Sequence, residues 1–190
     1  RLMGWKKDEM DRRSKRKQLP QKGYTQLLQG SRLATARAKN VDMHVKHCFE
    51  VSRAIKNRTA GDAIDFLNEV LKIDSNRADI RRKATAVPYR MGSGNKKRKR
   101  SGPSMVGHRK GGIGPGRYPV KASREFIKII QSCMENARHQ YEDIEPEDMV
   151  ITHAAAHRGE IKRGWMPGAR VRATPSNHYR ANLEILLTGF

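Results

Sequence analysis

The sequence predicts an α+β fold in which a three-stranded antiparallel sheet packs with about three helices and carries a long protruding β-hairpin and a basic N-terminal extension. Three observations lead there. Apolar residues recur at helical spacing in three separate segments and alternate at strand spacing in others. Two strand-like segments near the C-terminus enclose a stretch too polar to lie in a core. Positive charge is concentrated where apolar periodicity is missing.

The chain opens with a tail-like segment. Residues Arg1 to Lys22 hold nine basic residues and three acids with almost no apolar periodicity, the composition of a segment that orders only on a partner. Residues 1–23 are therefore expected to be an extension to a single domain over 24–190, since 190 residues suit one domain with additions.

From Ser31 to Lys39 the small residues Ala34, Ala36 and Ala38 alternate with Thr35, Arg37 and Lys39, as in a short strand with one basic face. Val45, Cys48, Phe49, Ser52 and Ile55 lie at helical spacing and predict a first helix over 45–57. Thr59 followed by Asp62 resembles a capping box and should start a second helix, with Ile64, Leu67, Val70 and Leu71 as its stripe to about Ile73. After Pro119 a long helix is expected, with Ile127, Ile130, Met134, Ala137 and Tyr141 on one face and Phe126 and Cys133 beside it. Asp143 to Asp148 form an acidic turn around Pro146. Met149 to His157 then read as a strand, and Leu183, Ile185 and Leu187 mark the last one.

Two regions stand outside this pattern. Ile80 to Arg124 contains fourteen basic residues and no acid, is dense in Gly and Pro, and predicts a basic loop over 81–119 that cannot form an ordinary core. Arg158 to Arg180 has five further basic residues opposed only by Glu160. If its flanking strands pair antiparallel, it becomes a hairpin whose arms of about ten residues reach roughly 33 Å.

Charge narrows the function. Lys plus Arg number 40 against 19 acids, a net charge of +21 and a pI of about 10.6. Such an excess repels itself and calls for a polyanion. A membrane is the weaker candidate, because no apolar run is long enough to span a bilayer and the N-terminus lacks the apolar centre of a signal peptide. A cytoplasmic location is expected. Cys48 and Cys133 fall on amphipathic segments and read as reduced core thiols.

Other chemistry finds little support. His44, His47 and Cys48 share a helix face, but a fourth ligand for structural zinc is missing. His153 and His157 lie far apart along a strand and point to phosphate or solvent. Gly111, Gly112, Gly114 and Gly116 do not have nucleotide-loop spacing and suit close approach to RNA or tight turns. No nucleophile, base and anion stabiliser come together, and Glu145, Glu147 and Asp148 are more simply a turn. No catalytic residue, metal or cofactor is expected.

Arg58-Thr59-Ala60-Gly61-Asp62-Ala63, Val87-Pro88-Tyr89-Arg90, Gly116-Arg117-Tyr118-Pro119 and Lys121-Ala122-Ser123 resemble, in order, motifs of the universal large-subunit ribosomal protein twenty-two family, called protein seventeen in eukaryotes. The resemblance runs from about Tyr24 to Leu187. His153-Ala154-Ala155-Ala156-His157 and the inserted basic loop are similar to archaeal members. At the hairpin tip the family's Lys-Arg, Pro-Arg-Ala and Gly-Arg-Ala become Lys162-Arg163, Met166-Pro167-Gly168-Ala169 and Val171-Arg172-Ala173. Gly168 and Val171 depart from the pattern, so the arm's role carries over while individual tip contacts do not.

The resemblance implies a non-enzymatic structural protein that binds large-subunit rRNA, stabilises its fold and lines the nascent-polypeptide exit tunnel with its hairpin. It implies neighbouring ribosomal proteins and the nascent polypeptide as further partners. Charge clustering selects Arg81, Arg82, Lys83, Arg90, Lys96, Lys97, Arg98, Lys99, Arg100, Arg109, Lys110, Arg117 and Arg158 as rRNA-binding. The hairpin contributes Lys162, Arg163, Trp165, Met166, Pro167, Arg170, Arg172 and Arg180, mostly Arg, whose planar fork grips phosphate or stacks on bases. Trp165 and His178-Tyr179 offer stacking faces, with packing on its own arm the alternative for Trp165. The competing readings are an RNA-processing or modifying enzyme and a general nucleic-acid-binding protein.

Overall fold

The computed structural model describes residues 24–26, 32–89, 106–109, 114–141, 143–170 and 172–189. The N-terminal extension over 1–23, Arg90, Lys96, Lys97, Arg98, Lys99, Arg100, Lys110, Gly111 and Gly112 lie outside these residues.

Strands β1 (Leu33–Val41), β5 (Val150–Lys162) and β8 (His178–Thr188) form an antiparallel sheet in the order β1-β8-β5. The last strand in sequence is therefore the central one. Ala181, Leu183, Ile185 and Leu187 on β8 are fully buried on the face covered by helices. Each such large aliphatic contributes about 1.5–3 kcal/mol of burial. Ala34 and Ala36 of β1 are also buried, and their small side chains let the long helix lie close to the strand.

Helix α1 (Val45–Ile55) buries Cys48, Val51, Ser52 and Ile55, the i, i+3, i+4, i+7 pattern. Phe49, expected on that face, is half-exposed; it sits one residue round from Cys48 and faces outward at the edge of the stripe. Helix α2 (Ala60–Leu71) starts as expected at Thr59, whose hydroxyl accepts from Asp62 N–H at 3.2 Å. Its stripe is Ala60, Ala63, Leu67 and Val70, followed by a 3₁₀ turn that buries Ile73. The loop before α2 pairs with the edge of β5: Asn57 N–H donates to Ile151 C=O and Ile151 N–H to Arg58 C=O, both at 2.8 Å. Thus the Arg58-Thr59-Ala60 segment locks the helices to the sheet.

Helix α4 (Val120–Gln140) follows the basic region. Its buried side chains include Phe126, Ile130, Cys133, Met134 and Ala137, while Ile127 is only partly buried. The stripe is displaced and wider than the expected one because α4 packs on the sheet and on α2 at once. Lys121 in its first turn and Arg124 just beyond it oppose the helix dipole. Asp42, 2.8 Å from Lys121, and Asp74, paired with Arg124, offset them. At the other end Tyr141 Oη accepts from Leu33 N–H at 3.0 Å and Asn136 donates to Thr35 C=O at 2.9 Å, fixing α4 along β1. Cys48 and Cys133 are buried free thiols, and burial pushes them up to about 11 and about 12.

The basic region is more structured than expected. Helix α3 (Ala78–Arg82) opens it, and β2 (Val87–Pro88), β4 (Pro115–Arg117) and β3 (Val106–His108) form a second small antiparallel sheet in that order. Ala84, Ala86, Val87 and Tyr89 are buried, so the ends of this region belong to the core. Charge count concealed them, because the apolar residues are few and adjoin basic ones. A Cβ on Gly116 would lie 2.6 Å from the Ala86 side chain, so that glycine serves internal packing and not approach to RNA.

Beyond the body, β5 and β8 continue as a two-stranded arm, prolonged by β6 (Trp165–Pro167) and β7 (Ala173–Pro175). Its root is clasped by the end of β1. Asn40 accepts from Glu160 N–H at 3.0 Å, donates its backbone N–H to Asn182 at 2.8 Å, and would collide with any Cβ on Gly159.

Two substitutions test this packing. Thr59→Ala should cost about 1 kcal/mol through the lost cap, and Leu183→Ala about 2–5 kcal/mol through a core cavity. Urea unfolding followed by circular dichroism measures both. Equal, negligible effects would contradict the packing.

Candidate nucleic-acid interface

Several acids of the body pair with nearby cations. Glu125 and Glu135 each lie 2.8 Å from a Lys128 or Arg138 nitrogen one turn on, and Asp42 and Asp74 hold Lys121 and Arg124. Glu50 stands 3.9 Å from Arg53, and Asp143 3.9 Å from Arg32. Exposed pairs of this kind add little stability. They balance part of the body's charge, whereas Ile161 to Arg180 of the arm carries no acid to do the same.

Of the predicted basic residues, Arg81 and Arg82 occupy the last turn of α3 and Lys83 caps it. Arg117 ends β4, the central strand of the small sheet, and pairs with both Val87 and Val106. Arg109 follows β3 and lies against Gly114 and Gly116. Arg158 is elsewhere, at the root of the arm opposite Ala181. The structure thus splits the described basic set into two groups, one around α3 and the small sheet and one on the arm.

On the arm, Lys162, Arg163, Trp165, Met166, Pro167, Arg170 and Arg172 are all exposed, and Arg180 is partly covered. From Ile161 to Arg180 there is no acidic residue. Arg180 is 3.8 Å from Glu160, the single acid at the root. Trp165 is 71% exposed, which answers the choice left by the sequence: its ring does not pack away on its own arm. The tip closes through Gly168 N–H to Arg172 C=O at 2.7 Å, with Arg170 in the left-handed region at φ 59°. The arm presents cations, an indole and a thioether to whatever surrounds it.

At the junction of the two groups, Arg117 stacks over the Tyr89 ring, 5.1 Å from its centroid, and His47 Nδ1 hydrogen-bonds the Tyr89 hydroxyl. Burial first, with His44 and Arg117 nearby, holds His47 below its ordinary range, so it is neutral at pH 7. Burial also pushes Tyr89 up. His44 instead caps α1, accepting from Lys46 N–H, and Cys48 turns into the core. The rings of His44 and His47 meet edge to face, 5.4 Å between centroids, but each has its own hydrogen-bond partner and Cys48 points away from them. Among the described residues no His, Cys, Asp and Glu group is placed to hold a metal.

His153 is turned away from solvent, whereas His157 stays exposed as expected. Both reach Glu184 Oε1, at 2.9 and 3.2 Å, on the sheet face away from the helices. The register explains it: Glu184 lies opposite Ala155, midway between the two histidines on the same face. Thr25 completes the cluster, donating its N–H to Glu184 Oε2 at 3.2 Å and its hydroxyl to Oε1. This contact ties the segment before β1 to the back of the sheet, beside the stack of Arg37 on Tyr24. No sequence spacing pointed to it, because the partners are separated by up to 159 positions.

A comparison with known families decides the identity. The family model for Ribosomal protein L22p/L17e matches residues 36–188. The chain belongs to that family. It is 35% identical over 164 residues to the large ribosomal subunit protein uL22 of Methanocorpusculum labreanum, covering 86% of this chain and 94% of that one. It is 34% identical to the protein of the same name from Aeropyrum pernix, over 89% and 98% of the two chains. For Natronomonas pharaonis the figures are 37%, 80% and 88%. These relatives are archaeal, as the His153–His157 segment suggested, and the matched region takes in the sheet, the helices and the arm.

The Glu184 cluster has a pH signature. Burial raises its carboxyl, but hydrogen bonds from His153, Thr25 and His157 outweigh that and hold it below its ordinary value of 4.5. A depressed carboxyl contributes stability that is complete above the unfolded value and lost as pH falls through the folded one. Thermal unfolding midpoints should therefore drop as pH falls below about 4.5. Glu184→Gln should lose much of that slope. Parallel curves for the two proteins would count against the cluster.

Proposed function

We propose that the chain is a structural component of the large ribosomal subunit, that it binds large-subunit rRNA and stabilises its fold, and that its hairpin lines the nascent-polypeptide exit tunnel. The observation that carries this reading is the arm: an exposed, Arg-rich hairpin without an acid from Ile161 to Arg180, continuous with strands β5 and β8 of the core. Family membership supports the subunit, and the archaeal relatives bear the name large ribosomal subunit protein. No enzymatic step is assigned.

Within this reading, Arg81, Arg82, Lys83, Arg109, Arg117 and Arg158 meet phosphate, joined by Arg90, Lys110 and the run Lys96 to Arg100. Lys162, Arg163, Trp165, Met166, Pro167, Arg170, Arg172 and Arg180 serve the tunnel arm. Residues 1–23 act as a basic extension to one body over 24–190. Neighbouring ribosomal proteins and the nascent polypeptide are the other partners, and the setting is the cytoplasmic ribosome. Among the described residues no helix is long and apolar enough to cross a membrane.

Phosphate contact releases condensed counter-ions, so affinity falls linearly on a logarithmic salt scale. Titrations of the purified chain should show steep salt dependence and preference for large-subunit rRNA over unrelated duplex DNA. Equal affinity for both would favour a general nucleic-acid-binding protein. In a lysate the chain should co-sediment with large subunits; intact subunits that lack it would overturn the proposal. Deleting Lys162 to Arg172 should leave the helical signal and RNA binding of the body in place while altering the tunnel. Loss of all helical signal would show the arm to be part of the core.

A further inference from the structure

The helix-side face of the main sheet does not end where the helices end. Ala181 and Leu183 of β8 are buried beneath them, and Tyr179, two residues earlier on the same face, is 48% exposed. Its cross-strand partner on β5 is Ile161, 45% exposed. Facing them across a groove of about 850 Å³ is the outward Phe49 of α1. Two half-exposed aromatic rings and an isoleucine thus line the space between the body and the root of the arm, with Arg53 over one side of the Phe49 ring, 5.7 Å from its centroid.

The polar groups around this groove are mostly donors. Lys46, Arg117, Arg158 and Arg180 line it, with Glu50 as the one carboxylate. Glu50 is already turned toward Arg53. Arg117 Nε is buried without a hydrogen-bond partner. The Arg117–Tyr89–His47 stack forms the opposite wall, with His47 neutral. A planar, apolar-faced group with an attached anion matches each of these features. A second hollow, of about 420 Å³ between the end of α4 and the acidic turn, is lined by Glu145 and Glu147 and lacks such a match.

We propose that this groove receives a single unstacked nucleotide of the bound RNA, its base between Phe49 and Tyr179 and its phosphate on Arg117, Arg158 or Lys46. The proposal rests on the rRNA-binding reading and adds a defined site to it. Base stacking on aromatic side chains is tolerant of sequence and is how proteins hold unpaired RNA. An acidic peptide would also satisfy the cations, but it would leave the two rings unused.

The test uses the full chain with two probes, deproteinised large-subunit rRNA and an octaadenylate carrying one 2-aminopurine. Phe49→Leu and Tyr179→Leu remove a ring, keep apolar bulk and alter side chains that are half-exposed, so circular dichroism should be unchanged. Each should weaken octaadenylate binding by about 5- to 100-fold, the range for one lost stack, with the salt slope intact and the 2-aminopurine signal lost. Lys162→Ala with Arg163→Ala on the arm should lower the salt slope by about 1–2 and preserve that signal. If the ring variants bind both RNAs as the parent does, the groove proposal fails while rRNA binding stands. If the parent binds neither RNA, both readings fail. Displacement of the octaadenylate by octaglutamate at lower concentration than by unlabelled octaadenylate would assign the groove to an acidic peptide instead.

Discussion

The antiparallel ladder between β5 and β8 is the constraint on which the rest of the molecule depends. Inside the body it brings Ile151 opposite Leu187 and Ala156 opposite Leu183, so the central strand is covered by helices on one face and clamped by Glu184 on the other. Outside the body the same two strands continue as the arm. A backbone ladder needs no hydrophobic core to satisfy its N–H and C=O groups. The chain can therefore project a highly charged segment from a small fold while keeping that segment's root fixed by Asn40 and Gly159.

The ladder also explains how a chain of net charge +21 holds a folded core. Several cations on the helices find acids one turn away or on a facing loop, as Lys121 does with Asp42. Among the described residues, cations on the arm find none beyond Glu160, and Arg117 of the small sheet is stacked on the Tyr89 ring. Repulsion is thus displaced to places where an external polyanion relieves it. The exposed cations of the arm and the buried core thus occupy different parts of the same two strands, with the groove beside Tyr179 where they meet.

Much of the fold was legible in the sequence because periodicity reports burial directly. The cap at Thr59, the alternation of Leu183, Ile185 and Leu187 and the polar insert between two strands each reflect a local rule, and each element is found where the rule places it. What remained hidden depends on contacts between distant segments. Phe49 reads as core on spacing alone, and only the extent of the sheet shows that it overlooks a groove. His153 and His157 were separated by strand geometry, yet a glutamate on the neighbouring strand unites them. The small sheet was masked by the charge around it, since Val87 and Gly116 are too few to make a pattern. Of the interface, the exposed cations of the arm were legible as charge, whereas the groove formed by α1, β5 and β8 was not.

The most direct measurement is a cryo-electron microscopy map of large subunits purified with this chain in place. The account predicts the body against rRNA at the subunit surface, with Arg158 to Arg180 running inward and its tip at the wall of the exit tunnel. A map in which that arm projects into solvent, clear of RNA, would contradict it.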